Sequence, residues 1–263
     1  MTSRSEFSAG MIGTLNDHLI GLVERAPDPA AVVPHTDRWT IAQVMAHLVT
    51  AAVRYSPTGG DPDRWAADAK DVAALNDVEI AQLSDQDLPK ILTSLRAAVA
   101  QLPSGPSVDD AGPLPYTGGV QVHPADLLGI MLGEFVVHGH DIARALGRPW
   151  SIDSRAAVEI LDSLAPILPA WVDPQAARGV SAVMEVRLRG AGRHLWQFTD
   201  GHLEVDPAEP RPVDVTISAD PVAFLLLSYR RMPLWRAILT GRSRAWGRRP
   251  MLAFRSNSFF RAP

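Results

Sequence analysis

At 263 residues, with 46% hydrophobic and 21% charged residues, the chain suits one large domain or two ordinary ones and has the composition of a soluble globular protein. It has no apolar run of about 18 residues, so no transmembrane helix is expected, and Glu6, Asp17 and Glu24 near the start argue against a secretory signal. Zero cysteines exclude a disulfide scaffold, a thiolate metal site and a cysteine nucleophile.

Any metal must therefore be held by nitrogen and oxygen, and any thiol chemistry must use a thiol brought in as a cosubstrate. A cytoplasmic location fits these absences. The net charge of −4 hides an asymmetry: no Asp or Glu follows Asp220, whereas nine arginines lie between Arg230 and the end. The remainder carries about −13 by difference. The basic segment reads as a solvated face or an anion-binding pocket. Nucleic acid is not expected, because Lys is nearly absent and no nucleic-acid motif accompanies the arginines.

Residues 5–26 carry Phe7, Met11, Leu15, Leu19 and Leu22 at helical spacing. A proline-rich loop follows. Thr40 then offers an N-cap and Gln43 completes a capping box for a helix over about 41–55, with His47 among its apolar positions. SPTGGDPDRW breaks the chain. Helical regions are expected at about 65–83 and 86–102. PSGPSVDDAGPLPYTGGVQVH is a long loop with two possible short extended pieces, of a length that tends to be functional. A helix from Pro124 to a C-cap at Gly147 and another over 153–168 complete an all-helical first part.

The period changes after Gly179. VMEVRLRG and HLWQFTDGHLEV alternate as strands, the latter turning at Asp200–Gly201, and PVDVTISA is a third strand. DPVAFLLLSYRR, PLWRAILTGR and PMLAFRSNSFF read as helices. The expectation is therefore a helical domain over 1–175 followed by a small α+β domain over 176–263.

Chemistry concentrates in the Pro124–Trp150 stretch. Glu134 and His138 are four residues apart, one turn along one helix face, and Asp141 continues that stripe. Burying a carboxylate, an imidazole and a second carboxylate beside Leu127 and Met131 is costly unless they are partnered. A metal or a side-chain hydrogen-bond network would satisfy them. A metal needs a further ligand from elsewhere, and His47, on the apolar side of its helix, is the best candidate.

WTIAQVMAHL at 39–48 and EFVVHGHDIARALGRPW at 134–150 resemble the mycothiol-dependent maleylpyruvate isomerase family. VDVTISADPVAFLLLSYRR resembles that family's C-terminal domain more loosely. The resemblance implies a DinB-like four-helix bundle followed by a domain akin to sterol carrier proteins. It implies a divalent metal on His47, Glu134 and His138, with zinc the first choice and nickel and iron open. It also implies mycothiol as cosubstrate and a small electrophilic, carboxylate-bearing substrate, with no membrane or nucleic-acid partner. Asp141 and a C-terminal arginine are implied in catalysis, with Arg230 or Arg231 the best matches and Arg242 in reserve. His140 stands where the family commonly has Trp, and is expected to face away from the metal. In such an enzyme the activated thiol adds to a conjugated alkene and leaves after bond rotation, or displaces a leaving group in a transferase. Two further readings are a metal-dependent hydrolase of the same fold and a non-catalytic protein that binds an apolar molecule.

Overall fold

The structure, a computed structural model, describes residues 2–36, 38–56, 64–83 and 87–261. Most of the SPTGGDPDRW break, the first residue of the helix expected at 86–102 and the last two residues of the chain lie outside these. Packing divides the chain into two compact units, Met1–Ser163 and Leu164–Pro263. The period change read near residue 175 falls inside the second.

In the first unit, α1 (Arg4–Val23) begins at a capping box in which Ser3 and Glu6 satisfy each other's backbone N–H. The Thr40–Gln43 box starts α2 (Ile41–Arg54) as the sequence indicates. A 3-10 turn at Ala69–Asp71 leads into α3 (Val72–Ala81), shorter than the helix expected over 65–83. Then follow α4 (Leu88–Ala100), capped by Asp87, and the one-turn α5 (Pro106–Asp109). The two extended pieces of the long loop pair as a hairpin, β1 (Leu114–Pro115) with β2 (Gln121–Val122).

Helix α6 (Pro124–Ala145) is buried along most of its length. It ends at Gly147, whose φ of 61° suits glycine. Arg148 N–H reaches back to the Ala143 carbonyl at 2.8 Å, closing a Schellman turn. α1 packs on α6 and α4, and α2 packs on α4, α6 and α3. Leu19, Ile41, Leu48, Leu95, Leu127 and Phe135 are completely buried between these helices. Each such side chain stabilises the fold by about 1.5–3 kcal/mol.

α7 (Ser154–Leu164) is fastened by Arg4, whose guanidinium pairs with Asp126 of α6 at 2.9 Å and Glu159 of α7 at 2.8 Å. Gly139 of α6 admits the Trp150 ring so closely that a Cβ there would lie 2.1 Å from its Cζ2. That ring also stacks on His18, with centroids 4.9 Å apart.

The second unit opens with a 3-10 segment at Ala165–Trp171. Its sheet comprises β3 (Ala182–Leu188), β4 (Arg193–Thr199), β5 (His202–Val205), β6 (Val215–Ala219) and β7 (Ser243–Gly247), in the order β5-β4-β3-β6-β7. Only the β3–β6 pairing is parallel. The helices are α8 (Pro221–Ser228), N-capped by Asp220, α9 (Leu234–Leu239) and α10 (Met251–Arg255). Met184, Val186, Phe198, Val215, Ala219, Leu225 and Phe259 form its core. Helices first and α+β second is the order the sequence indicates. The strand β7 is not read there, because it forms by pairing with β6 rather than by local alternation. Among the described residues no helix is long and apolar enough to cross a membrane.

Candidate metal centre

Helix α2 contributes His47, and α6 contributes Glu134 and His138 one turn apart. Packing of α2 on α6 brings the three side chains together. His47 Nε2 and His138 Nε2 each lie 3.3 Å from Glu134 Oε2. One ligand-type atom from each residue lies within 4.8 Å of the others, and no other group of three or more such residues converges among the described residues. The His47 side chain is 4% exposed, that of His138 12% and that of Glu134 21%, so the cluster opens towards solvent at the carboxylate.

Burial alone would push the Glu134 carboxyl up. Hydrogen bonds from His138 and His47 outweigh it and hold the group well below the usual carboxylate range. Burial pushes the His47 imidazole down, and this outweighs the attraction of Glu134; the nearby His138 and Arg54 add to the lowering. Glu134 is thus ionised and His47 neutral at neutral pH, the states metal ligation requires.

Ligands at about 2.0–2.1 Å from one ion in a tetrahedral array stand about 3.3 Å apart, which is the spacing from each imidazole to Glu134. Two imidazoles and a carboxylate suit a divalent ion of the first transition row. The residues present therefore fit such an ion, with protein ligands too few to close its coordination shell.

The remaining implied residues are placed as follows. Asp141 is completely buried on α6, and its Oδ1 lies 3.5 Å from His140 Nδ1. His138 Nδ1 is buried with no hydrogen-bond partner among the described residues. His140 is outside the converging group, as its position on the helix indicates. Arg230, Arg231 and Arg242 belong to the second unit. Arg230, at φ 59°, donates to the Phe260 carbonyl at 3.2 Å. Arg231 donates to the Tyr229 carbonyl at 2.7 Å. Arg242 pairs with Asp220, the N-cap of α8, at 2.9 Å.

Several neighbours of the cluster were not singled out in the sequence. The Trp39 ring lies 5.0 Å from His47 and 6.4 Å from His138. Arg54 is buried on α2, donates to Asn76 at 2.7 Å and pairs with Glu79. Its position seven residues after His47, two turns along the same face, was the available signal. Tyr55 is buried against Trp65 and Tyr116. Burial, then Tyr116 and Glu134, push its phenol well above the usual value, so it remains a protonated hydroxyl.

Comparison with known proteins adds a family. Residues 13–143 match the family model described as the mycothiol maleylpyruvate isomerase N-terminal domain. Among solved structures, the chain is similar to a crystal structure of the mycothiol-dependent maleylpyruvate isomerase at 17% identity, covering 86% of this chain and 90% of that one, with a TM-score of 0.49. It is also similar to Sterol Carrier Protein 2 Like 2 from Aedes aegypti at 24% identity, covering 38% of this chain and 94% of that one, with a TM-score of 0.30. No match is found among curated proteins.

Proposed function

Because residues 13–143 belong to the mycothiol maleylpyruvate isomerase N-terminal domain family, we propose that this chain is a metal-dependent enzyme that uses mycothiol as cosubstrate to isomerise, or transfer the thiol to, a small electrophile. The observation that carries the proposal is the convergence of His47 Nε2, His138 Nε2 and Glu134 Oε2. A divalent ion held by them supplies a Lewis acid that lowers the pKa of a bound thiol. With no cysteine in the chain, the nucleophilic sulfur must come from the cosubstrate.

The protein's own contribution is to present two imidazoles, that of His47 neutral, and an ionised carboxylate on rigid helices, which fixes the reacting groups in place. The Tyr55 hydroxyl, kept protonated, lies within electrostatic reach of Glu134. Catalytic roles for Asp141 and for Arg230 or Arg231 remain part of the proposal on the strength of the sequence resemblance. Arginine suits a carboxylate-bearing substrate because its planar fork binds that group in a bidentate way.

The experiment is a turnover screen of metal-loaded protein against electrophiles such as conjugated cis-dienoic acids and epoxides, with and without mycothiol. Turnover that requires both metal and thiol supports the proposal. Metal-dependent turnover without thiol would assign the site to hydrolysis instead.

A further inference from the structure

Histidine ligands of metals usually donate their second ring N–H to a carboxylate or carbonyl, which fixes the ring. Here His47 Nδ1 and His138 Nδ1 are both buried with no hydrogen-bond partner among the described residues. No hydrogen bond at Nδ1 sets these two rings. They stand edge to face, 5.0 Å apart at 82°, and among the described residues the one other ring against both is that of Trp39. Trp39 is only partly buried, so it is not there simply as core filling. Its own orientation is fixed from outside: Nε1–H donates to Asp77 Oδ1 of α3 at 3.1 Å.

A second link joins the same helix to the same face of α2. Arg54, two turns beyond His47, donates to Asn76 at 2.7 Å and pairs with Glu79. Asn76, Asp77 and Glu79 thus lie within four consecutive residues of α3, and all three reach residues around the cluster. Ile80 is the one fully buried side chain of α3. The polar contacts from Asn76, Asp77 and Glu79 add to that apolar anchor.

We propose that Trp39 is a positioning residue for the metal ligands and that α3 is its clasp: Asp77 holds the indole against His47 and His138, while Asn76 and Glu79, through Arg54, hold α3 in place. The inference rests on the metal reading above. It assigns the ring geometry of two ligands to a helix that supplies no ligand. In the absence of hydrogen bonds at Nδ1, loss of the Trp39–Asp77 contact frees both rings to turn and loosens the donor set.

Cobalt(II) tests this directly, because its visible absorption reports the geometry of the ligand field as well as occupancy. The full chain is titrated with cobalt(II) as wild type and as Trp39→Phe, Asp77→Ala, the double variant, His138→Ala and Val78→Ala. Phe keeps an aromatic ring but removes the indole donor, and Val78 is an exposed α3 residue that serves as control. The expected result is cobalt binding weakened about three- to tenfold in Trp39→Phe and in Asp77→Ala, the scale of one lost hydrogen bond. The double variant should be no weaker than either, since both changes remove one contact. The absorption band at saturation should also change in these variants and stay as wild type in Val78→Ala. If wild type takes up cobalt and His138→Ala does not, yet Trp39→Phe and Asp77→Ala keep wild-type affinity and band shape, the clasp is overturned while the metal reading stands. Additive losses in the double variant would likewise overturn it. If wild type takes up no cobalt, the metal reading fails and the inference with it.

Discussion

His47 Nε2 and Glu134 Oε2 stand 3.3 Å apart although 87 positions separate them in the chain. The carboxylate is shared with His138 at the same distance, so one oxygen serves two imidazoles. Both Nδ1 atoms are buried without a hydrogen-bond partner among the described residues, so the groups that can share an ion are the two Nε2 atoms and the carboxylate. A cation between the three groups uses the Nε2 lone pairs and the carboxylate charge together.

The pH dependence of occupancy follows from the same groups. Ligation needs neutral imidazoles, and model histidine titrates near about 6.5. Burial holds His47 below its ordinary value, so it stays neutral as pH falls past that point. Protons compete only further down. Metal occupancy is expected to be full at pH 7–8, to persist as pH falls past about 6.5, and to be lost progressively only below that, further down the tighter the binding. Occupancy measured after exchange into buffers of decreasing pH checks this. Full retention at strongly acidic pH would contradict imidazole ligation.

In the second unit, Glu185 is 2% exposed on β3 and is held by Arg193 at 2.7 Å, Arg187 at 2.8 Å and the Thr216 hydroxyl at 3.0 Å. Burial pushes its carboxyl up, but the hydrogen bonds from Arg187, Arg193 and Thr216 bring it below its ordinary 4.5. A depressed folded-state pKa contributes stability above the unfolded value that is lost as pH falls towards the folded one. Both arginines are more than half exposed, which screens the pairs. Glu185→Gln is therefore expected to cost about 1–2 kcal/mol at pH 7, with the difference from wild type shrinking below pH 4.5. Denaturant melts of both proteins at several pH values measure it.

Gly139 is a packing requirement. A Cβ there would lie 2.1 Å from the Trp150 ring, so Gly139→Ala should displace that ring and lower stability by about 1–3 kcal/mol. Added to Trp150→Ala, the same change should cost much less, because the obstacle is gone. Thermal melts of the two single variants and the double variant give the coupling.

The site and the fold were legible in the sequence to different depths. The Thr40–Gln43 box, the Gly147 stop and the Glu134–His138 pair could be read because each is set by residues within one turn or so. Strand β7 could not, since Ser243–Gly247 has five residues interrupted by Arg and Gly and is defined by its partner β6. Helix α3 is shorter than expected because the residues just before it, Ala69–Asp71, form a 3-10 turn capped by Asp68 instead of continuing the α-helix. Trp39 stood inside the quoted motif, but its partner Asp77 lies 38 residues away, and nothing local links them.

The role carried from the resemblance to the C-terminal arginines has its own test. Arg231→Ala or Arg230→Ala is expected to leave metal content intact and to lower kcat/KM about ten- to a hundredfold, the scale of one charge-assisted hydrogen bond. Lys should restore only part of the loss, because it lacks the planar fork. Unchanged kinetics in both Ala variants would remove these residues from the active site.

Metal analysis of the purified full chain tests the central claim most directly. Wild type, His47→Ala, Glu134→Ala and His138→Ala are each equilibrated with a divalent ion, freed of excess and assayed for bound metal. One equivalent per chain in wild type, with most of it lost in each variant, is the predicted result. Wild type without bound metal, or all three variants retaining the wild-type content, would contradict it.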